Sequence, residues 1–223
     1  MDALDSGTPG GSFQREYERR LAAHEQHVVE RRARITAAHP WIGRWLNGRT
    51  EVPHTTTEFA KRAAAERAVA ESFDRELGNS VRFLYNRLLG IGHERRGIDI
   101  IAVAPGGVFV IDPKAYAGKR VRANGAGDEF VVDGRLRPVL SLGMRRHVDA
   151  VAIAVSEGPI PSAEVSAAYC FIDADLPWGQ LLVDNVPATT PRGVAKMLKR
   201  AGPLTAEDRS TLHQYLSMQF PPA

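Results

Sequence analysis

The chain is poor in cysteine. Its one cysteine in 223 residues, Cys170, excludes an internal disulfide framework and a cysteine-based zinc site. Cys170 lies in the apolar run Val165 to Ile172, where a small buried residue is the simple reading. No uninterrupted apolar run approaches the ~18 residues a membrane span requires, so no membrane partner is expected. The first eleven residues, MDALDSGTPGG, lack the basic and apolar regions of a secretory signal, and the expected location is cytoplasmic. Net charge is small, +3 at neutral pH. That permits a polyanionic partner without pointing to one. Neither a phosphate-binding glycine-rich loop with its lysine nor a Ser-His-Asp set is present, so NTPase and serine-hydrolase readings rank low.

What is present is enough for a folded core. An apolar fraction of 43% supports a globular unit, and the length suits one domain with an appendage, or two small ones. The expected division is residues 1–54, a disordered tip, an amphipathic helical arm and a tryptophan-rich linker, followed by a main domain over 55–223. Phe13, Tyr17, Leu21, Val28 and Ile35 mark one stripe of the arm, which ends where Pro40 disfavours helix at His39. Trp41 and Trp45 read as a clamp between arm and body. A homo-oligomer formed through the arm is one partner expectation.

In the main domain, Thr55 and Glu58 suit a capping box for a helix from Glu58 to Leu77, stopped by Gly78-Asn79. Its inward stripe is Phe59, Ala63, Glu66, Ala70, Phe73 and Leu77. Glu66 is the one acid on that stripe. Spacing alone favours an edge glutamate paired with Arg62 or Arg67 over a metal ligand, because a lone buried carboxylate is costly. A strand over Val81–Tyr85 follows, then a basic stretch from Arg87 to Arg96. Later come a short hairpin at Phe130–Val132 with Asp133-Gly134 as its turn, and a helical stripe from Leu140 to Val155. A strand over Val165–Ile172 and two helices, Pro191–Arg200 and Thr205–Met218, complete the chain. Strands interleaved with helices predict α/β layering around a mixed central sheet.

The stretch from Gly97 to Val121 holds the chemistry. Two apolar runs, Ile98–Ala104 and Val108–Ile111, flank Pro105-Gly106-Gly107 and read as a hairpin of two central strands. A two- or four-residue loop pairs residues whose numbers sum to 211, which sets Asp99 opposite Asp112. Such partners have Cβ atoms ~4.5–5.5 Å apart, and Lys114 shares their face because strand side chains repeat every two residues. Two facing carboxylates inside a sheet repel. A divalent cation and the nearby lysine would resolve that cost. From Pro113 to Gly127 there are Lys114, Lys119, Arg120 and Arg122 and no acid, a run that reads either as a solvated face or as a phosphate-receiving shelf. Arg145, Arg146 and His147 flank the following helix as further candidates for nucleic acid. Asp173 and Asp175, just past a strand end, read as turn residues rather than ligands. Pro113 removes a ladder donor, so the strand is expected to end or bulge there.

Asp99, followed by Asp112-Pro113-Lys114, resembles the core of the PD-(D/E)XK nucleases. More narrowly, Ala65-Glu66-Arg67, Gly97-Ile98-Asp99, Gly106 to Lys114 and Tyr116-Ala117-Gly118-Lys119 resemble the nuclease-related domain, NERD. The likeness extends to His39-Pro40, to Cys170–Ala174 and to Gly202-Pro203-Leu204. The resemblance implies a restriction-endonuclease-like core, with Asp99 and Asp112 as ligands of a catalytic Mg²⁺ or, alternatively, Mn²⁺. It further implies Pro113 ligating through its carbonyl, Glu66 beside the metal, and Lys114 orienting the attacking water. The implied substrate is nucleic acid, with DNA expected. Ile98 and Ile100 stand where many relatives have Asn and His, and His147 where related nucleases carry glutamine. A weakly catalytic or inactive nucleic-acid-binding module, and an assembly protein using the N-terminal helix, remain as alternatives.

Overall fold

The computed structural model describes residues 7–11, 14–23, 26, 30, 54–89, 97–177 and 181–223, and only the backbone of 54–62. The linker tryptophans, the His39-Pro40 stop and most of the 87–96 basic stretch lie outside the described residues, as do the side chains of Thr55 and Glu58. Nine strands are described, from β1 (Arg82–Leu88), β2 (Gly97–Ala104) and β3 (Gly107–Ala115) to β4 (Val121–Ala123), β5 (Phe130–Val132) and β6 (Arg135–Leu136). They end with β7 (Val165–Ile172), β8 (Leu181–Val183) and β9 (Val186–Thr189). The helices are α1 (residues 14–23), α2 (His54–Leu77), α3 (Met144–Ser156), α4 (Pro191–Leu198) and α5 (Ala206–Gln219).

Six strands form one mixed sheet in the order β1-β2-β3-β7-β9-β8, and β4-β5-β6 form a second, small sheet. The β2–β3 turn is the two-residue Pro105-Gly106, with Ala104 opposite Gly107 and Ile100 opposite Ile111. Every pair in this ladder sums to 211, as the turn arithmetic requires. β2 and β3 are central, which explains why both read as apolar on both faces. β3 and β7 run parallel, with Asp112 beside Tyr169 and Pro113 beside Cys170.

Helices cover both faces. Val69, Ala70, Phe73 and Leu77 of α2 pack with Ile100, Ala102, Ile111 and Cys170, and with Val194 and Leu198 of α4. Phe73 and Phe83 stack with ring centroids 5.4 Å apart. The other face joins Ile101, Val103, Val108 and Val110 to Met144, Val151 and Val155 of α3 and to Leu212 and Leu216 of α5. The small sheet packs on this second face. Phe130 meets Tyr169 at 4.9 Å and Phe171 at 5.1 Å, both edge-on.

The α2 stripe behaves as its spacing predicts: Ala63, Glu66, Ala70, Phe73 and Leu77 are all buried. Asp133 and Gly134 both have positive φ, the backbone a tight two-residue hairpin turn demands, and Val132 pairs with Arg135 across it. Thr205 caps α5 in a reciprocal capping box with Asp208. Five expectations need correction. α2 begins at His54 rather than Glu58, so Thr55 lies within the helix instead of capping it. α3 begins at Met144 rather than Leu140, because Pro138–Leu140 forms a separate 3₁₀ turn. β1 runs on to Leu88, past the apolar stretch, because Arg87 is buried and donates to the Phe220 carbonyl. Residues 7–11, expected as part of a disordered tip, lie against the body: Asn86 Nδ2 donates to the Thr8 carbonyl, and Gly10 is buried. β4, β8 and β9 carry too few residues for a periodic signal and were not anticipated.

Candidate active site

Strand register builds the centre of the site. The β2–β3 ladder ends at the Ile100–Ile111 pair, so Asp99 and Asp112 lie just past its last step, close enough for Asp112 to act on the Asp99 carboxyl by charge and hydrogen bonding. Lys114, two residues along β3, ion-pairs with Asp112 Oδ2 at 2.7 Å. Both side chains of that pair are mostly buried, at 19% and 16% exposure, so the charge pair is only partly screened by water.

Pro113 does not end the strand. β3 continues to Ala115 and stays paired with β7 throughout. The reason is alternation: the N–H groups of Val108 and Tyr116 donate toward the β7 side, to Glu164 and Ile172, so even-numbered residues bond that neighbour. Pro113, odd-numbered, turns its backbone toward the β2 side, where the β2–β3 ladder has already stopped at Ile111. The missing donor therefore breaks no ladder bond. The Pro113 carbonyl turns the same way, toward the edge that carries Asp99.

Glu66 approaches from α2. It is buried, and its Oε2 accepts the Gly10 N–H at 2.8 Å. That contact depends on glycine: Gly10 has φ of +69°, and a Cβ there would lie 2.5 Å from the Ala63 carbonyl oxygen. The edge placement favoured by spacing gives way to a buried one, with a backbone N–H from the chain's start among its partners. Nothing in the sequence spacing signals a contact across 56 residues.

Electrostatics tie the three acids together. Burial, then the charges of Asp112 and Glu66, push the Asp99 carboxyl well above the usual carboxylate range, while Lys114 pulls the other way. A carboxyl raised by burial and by a neighbouring acid is the expected response of two acids set close together. Among the described residues, however, no three His, Cys, Asp or Glu side chains converge as a ready metal cage. Glu66 acts on Asp99 by charge.

His147 lies on the first turn of α3. Burial holds its imidazolium below the ordinary histidine range; Asp112 opposes this, and Arg146 and Lys114 reinforce it. It is therefore a neutral neighbour of the Asp112–Lys114 pair near pH 7. Tyr169, which sequence reasoning missed, pairs beside Asp112. Burial and then Asp112 push its phenol upward, so it stays protonated. A parallel pairing partner 57 positions away carries no local signal.

The basic shelf differs from its sequence appearance. Lys119 pairs with Asp133 at 2.8 Å, and Arg120 and Arg122 each reach Asp175 Oδ2 at 3.5 Å. Arg122 Nη1 also donates to the Asp175 carbonyl at 2.9 Å. Hydrogen bonds from Lys119 and the Arg120 N–H hold the Asp133 carboxyl below the usual range. The acids absent from residues 113–127 are supplied by a hairpin turn and a strand end. Asp175 is not the turn residue its sequence position suggested: it forms an isolated parallel bridge with Arg120 and serves as the shelf's counter-charge. Arg145 and Arg146 are exposed on α3.

A mixed six-stranded sheet flanked by helices, with an acid on one central strand facing an acid-x-lysine on the next, defines a restriction-endonuclease-like core. Residues 61–165 match the family model of NERD, the nuclease-related domain. That match runs from within α2 to the first residue of β7. No curated protein and no solved structure matches the chain. No described helix is long and apolar enough to cross a membrane.

Proposed function

We propose that this protein is a metal-dependent phosphodiesterase acting on nucleic acid, with DNA as its substrate. The observation that carries the reading is the Asp99–Asp112 pair with Lys114 seated 2.7 Å from Asp112. The donor set fits Mg²⁺, or Mn²⁺ in its place, which takes one or two carboxylates and keeps waters for the substrate. Asp99 and Asp112 would hold the ion, with the Pro113 carbonyl as a further oxygen and Glu66 adding negative charge behind Asp99. When bound, the ion neutralises the scissile phosphate and acidifies a water. The chain's own part is positional. Asp112 fixes the Lys114 ammonium at the end of β3, where it stabilises the negative charge that develops on the phosphate oxygens. Neutral His147 and protonated Tyr169 are neighbours of Asp112 that add no charge.

The test is cleavage of linear, nicked and single-stranded DNA with Mg²⁺, Mn²⁺ or EDTA. Metal-dependent hydrolysis lost in both Asp112→Ala and Lys114→Ala supports the reading; hydrolysis that survives both substitutions rejects it. A second reading, a nucleic-acid-binding module with little turnover, is favoured by one observation: Glu66 is held by Gly10 rather than gathered with the other acids. Salt-sensitive binding without cleavage under any metal would select it.

A further inference from the structure

Six large hydrophobic side chains are exposed among the described residues, and three of them, Leu136, Val139 and Leu142, fall within seven consecutive positions. They are interleaved with and followed by Arg135, Arg137 and Arg145, all exposed. From Arg135 to Val148 the sequence has no acid and no Phe, Tyr or Trp. Among the described residues, the ion pairs of this part of the molecule are made by Lys119, Arg120 and Arg122, none by those three arginines. We infer that residues 135–145 form a ridge that holds duplex DNA, the arginines on backbone phosphates and the aliphatic side chains pressed into the minor groove.

The chemistry selects that occupant. Unpaired guanidiniums beside exposed apolar groups suit a polyanion that also offers apolar surface, and base steps opened from the minor groove accept Leu-type wedges. Single strands are gripped mainly by aromatic stacking, which this ridge cannot supply. An A-form RNA minor groove is wide and shallow and is read through its hydroxyls and phosphates. A lipid surface favours an amphipathic helix with interfacial aromatics, whereas this segment is a two-residue strand, a 3₁₀ turn and a loop. Position agrees as well. The ridge runs directly into α3, whose first turn carries His147 within the fields of Asp112 and Lys114, so a duplex on the ridge leads toward the carboxylate pair. Only that last step rests on the nuclease reading.

The test is binding of a fluorescent duplex and of its separate strand by the full chain in EDTA, where cleavage cannot contribute. Wild type should prefer the duplex. Combined Arg135→Ala and Arg137→Ala should lower the slope of log affinity against log salt by about two, one per arginine. Combined Leu136→Ser, Val139→Ser and Leu142→Ser should keep the salt slope, abolish duplex bending seen by end-to-end energy transfer, and weaken binding at least about tenfold, the scale of burying one aliphatic side chain. Because Arg135 and Leu136 share a short strand, Arg145→Ala on α3 is the independent variant, with a slope loss of about one, and melting curves monitor folding. Equal binding of both DNA forms overturns the ridge. So does unchanged duplex binding in the folded variants, or a preference for phosphatidylserine vesicles that the same substitutions remove. Ridge-dependent duplex binding by a wild type that never cleaves leaves the ridge and removes the nuclease reading. Cleavage and binding that ignore all ridge substitutions do the reverse.

Discussion

The carboxylate pair on β2 and β3 and the basic shelf around β4 are separated by only a few residues, yet they hold their charges in opposite ways. At the pair, acids are forced together: burial, then the charges of Asp112 and Glu66, push the Asp99 carboxyl well above the usual carboxylate range. At the shelf, unlike charges meet in the open, with Lys119, Arg120 and Arg122 tied to two acids at exposed positions. Frustration of the first kind is expensive and persists where something compensates it; pairing of the second kind is nearly free to make or break. The contrast identifies the pair, not the shelf, as the place where a ligand has most to gain.

The largest test of that contrast is catalytic. Asp112→Ala or Lys114→Ala should lower metal-dependent cleavage by about 10²–10³-fold, the scale of losing one preorganised electrostatic group. Lys119→Ala should lower it far less. Comparable losses at Lys114 and Lys119 would erase the distinction. Next in size is the anchor between the regions. Phe130→Ala removes the ring that packs edge-on to Tyr169 and Phe171 and should cost about 3–5 kcal/mol in denaturant unfolding. A loss under 1 kcal/mol would mean the small sheet rests loosely on the core.

The same contrast explains what was legible in the sequence. The hairpin register could be read because a two-residue turn and period-2 alternation are local, and they bring Asp99 and Asp112 together from 13 positions apart. The Glu66 stripe was legible for the same reason, at helical period. The shelf misled because its counter-charges, Asp133 and Asp175, arrive through a hairpin and a strand end that composition along the chain does not anticipate. Gly10 on Glu66 and Tyr169 beside Asp112 depend on docking across 56 residues and on a parallel pairing, neither of which leaves a periodic trace. Pro113 misled differently. Its effect depends on which edge its backbone faces, and that edge was settled only by β7.

A pH experiment isolates the pair's frustration. The unfolded Asp99 carboxyl ionises near its ordinary value of ~3.9, whereas the folded one is raised. Between those two points the folded state holds the extra proton. Without added metal, this group's contribution therefore falls as pH rises above ~3.9 and levels off past the folded value. Asp99→Asn should flatten that decline and raise the melting temperature at pH 7–8, at about 2–4 °C for each kcal/mol relieved in a chain of this size. Added Mg²⁺ should raise the wild-type melting temperature and leave the Asn variant nearly unmoved. Parallel pH profiles for the two proteins would show that the carboxyl pair is not under strain.

The smallest expected effect lies on the shelf and is the most diagnostic of how it works. Asp175 accepts from Arg120 and Arg122 through its side chain, but its backbone is fixed separately, by Val121 N–H on its carbonyl and by its own N–H on Lys119. Asp175→Ala should therefore leave the local chain path intact and cost under about 1 kcal/mol, as exposed pairs do. What it changes is availability: both guanidiniums lose their internal acid, although Arg122 Nη1 keeps its bonds to the Val121 and Asp175 carbonyls. If the shelf receives DNA, affinity in EDTA should rise, and the salt slope should steepen by up to about two. If the shelf is only a solvated face, removing one negative charge should leave that slope where it was. A steeper slope with unchanged stability would make Asp175 an internal competitor for the substrate's phosphates, weak enough at the surface to be displaced and unable to play that part inside the sheet.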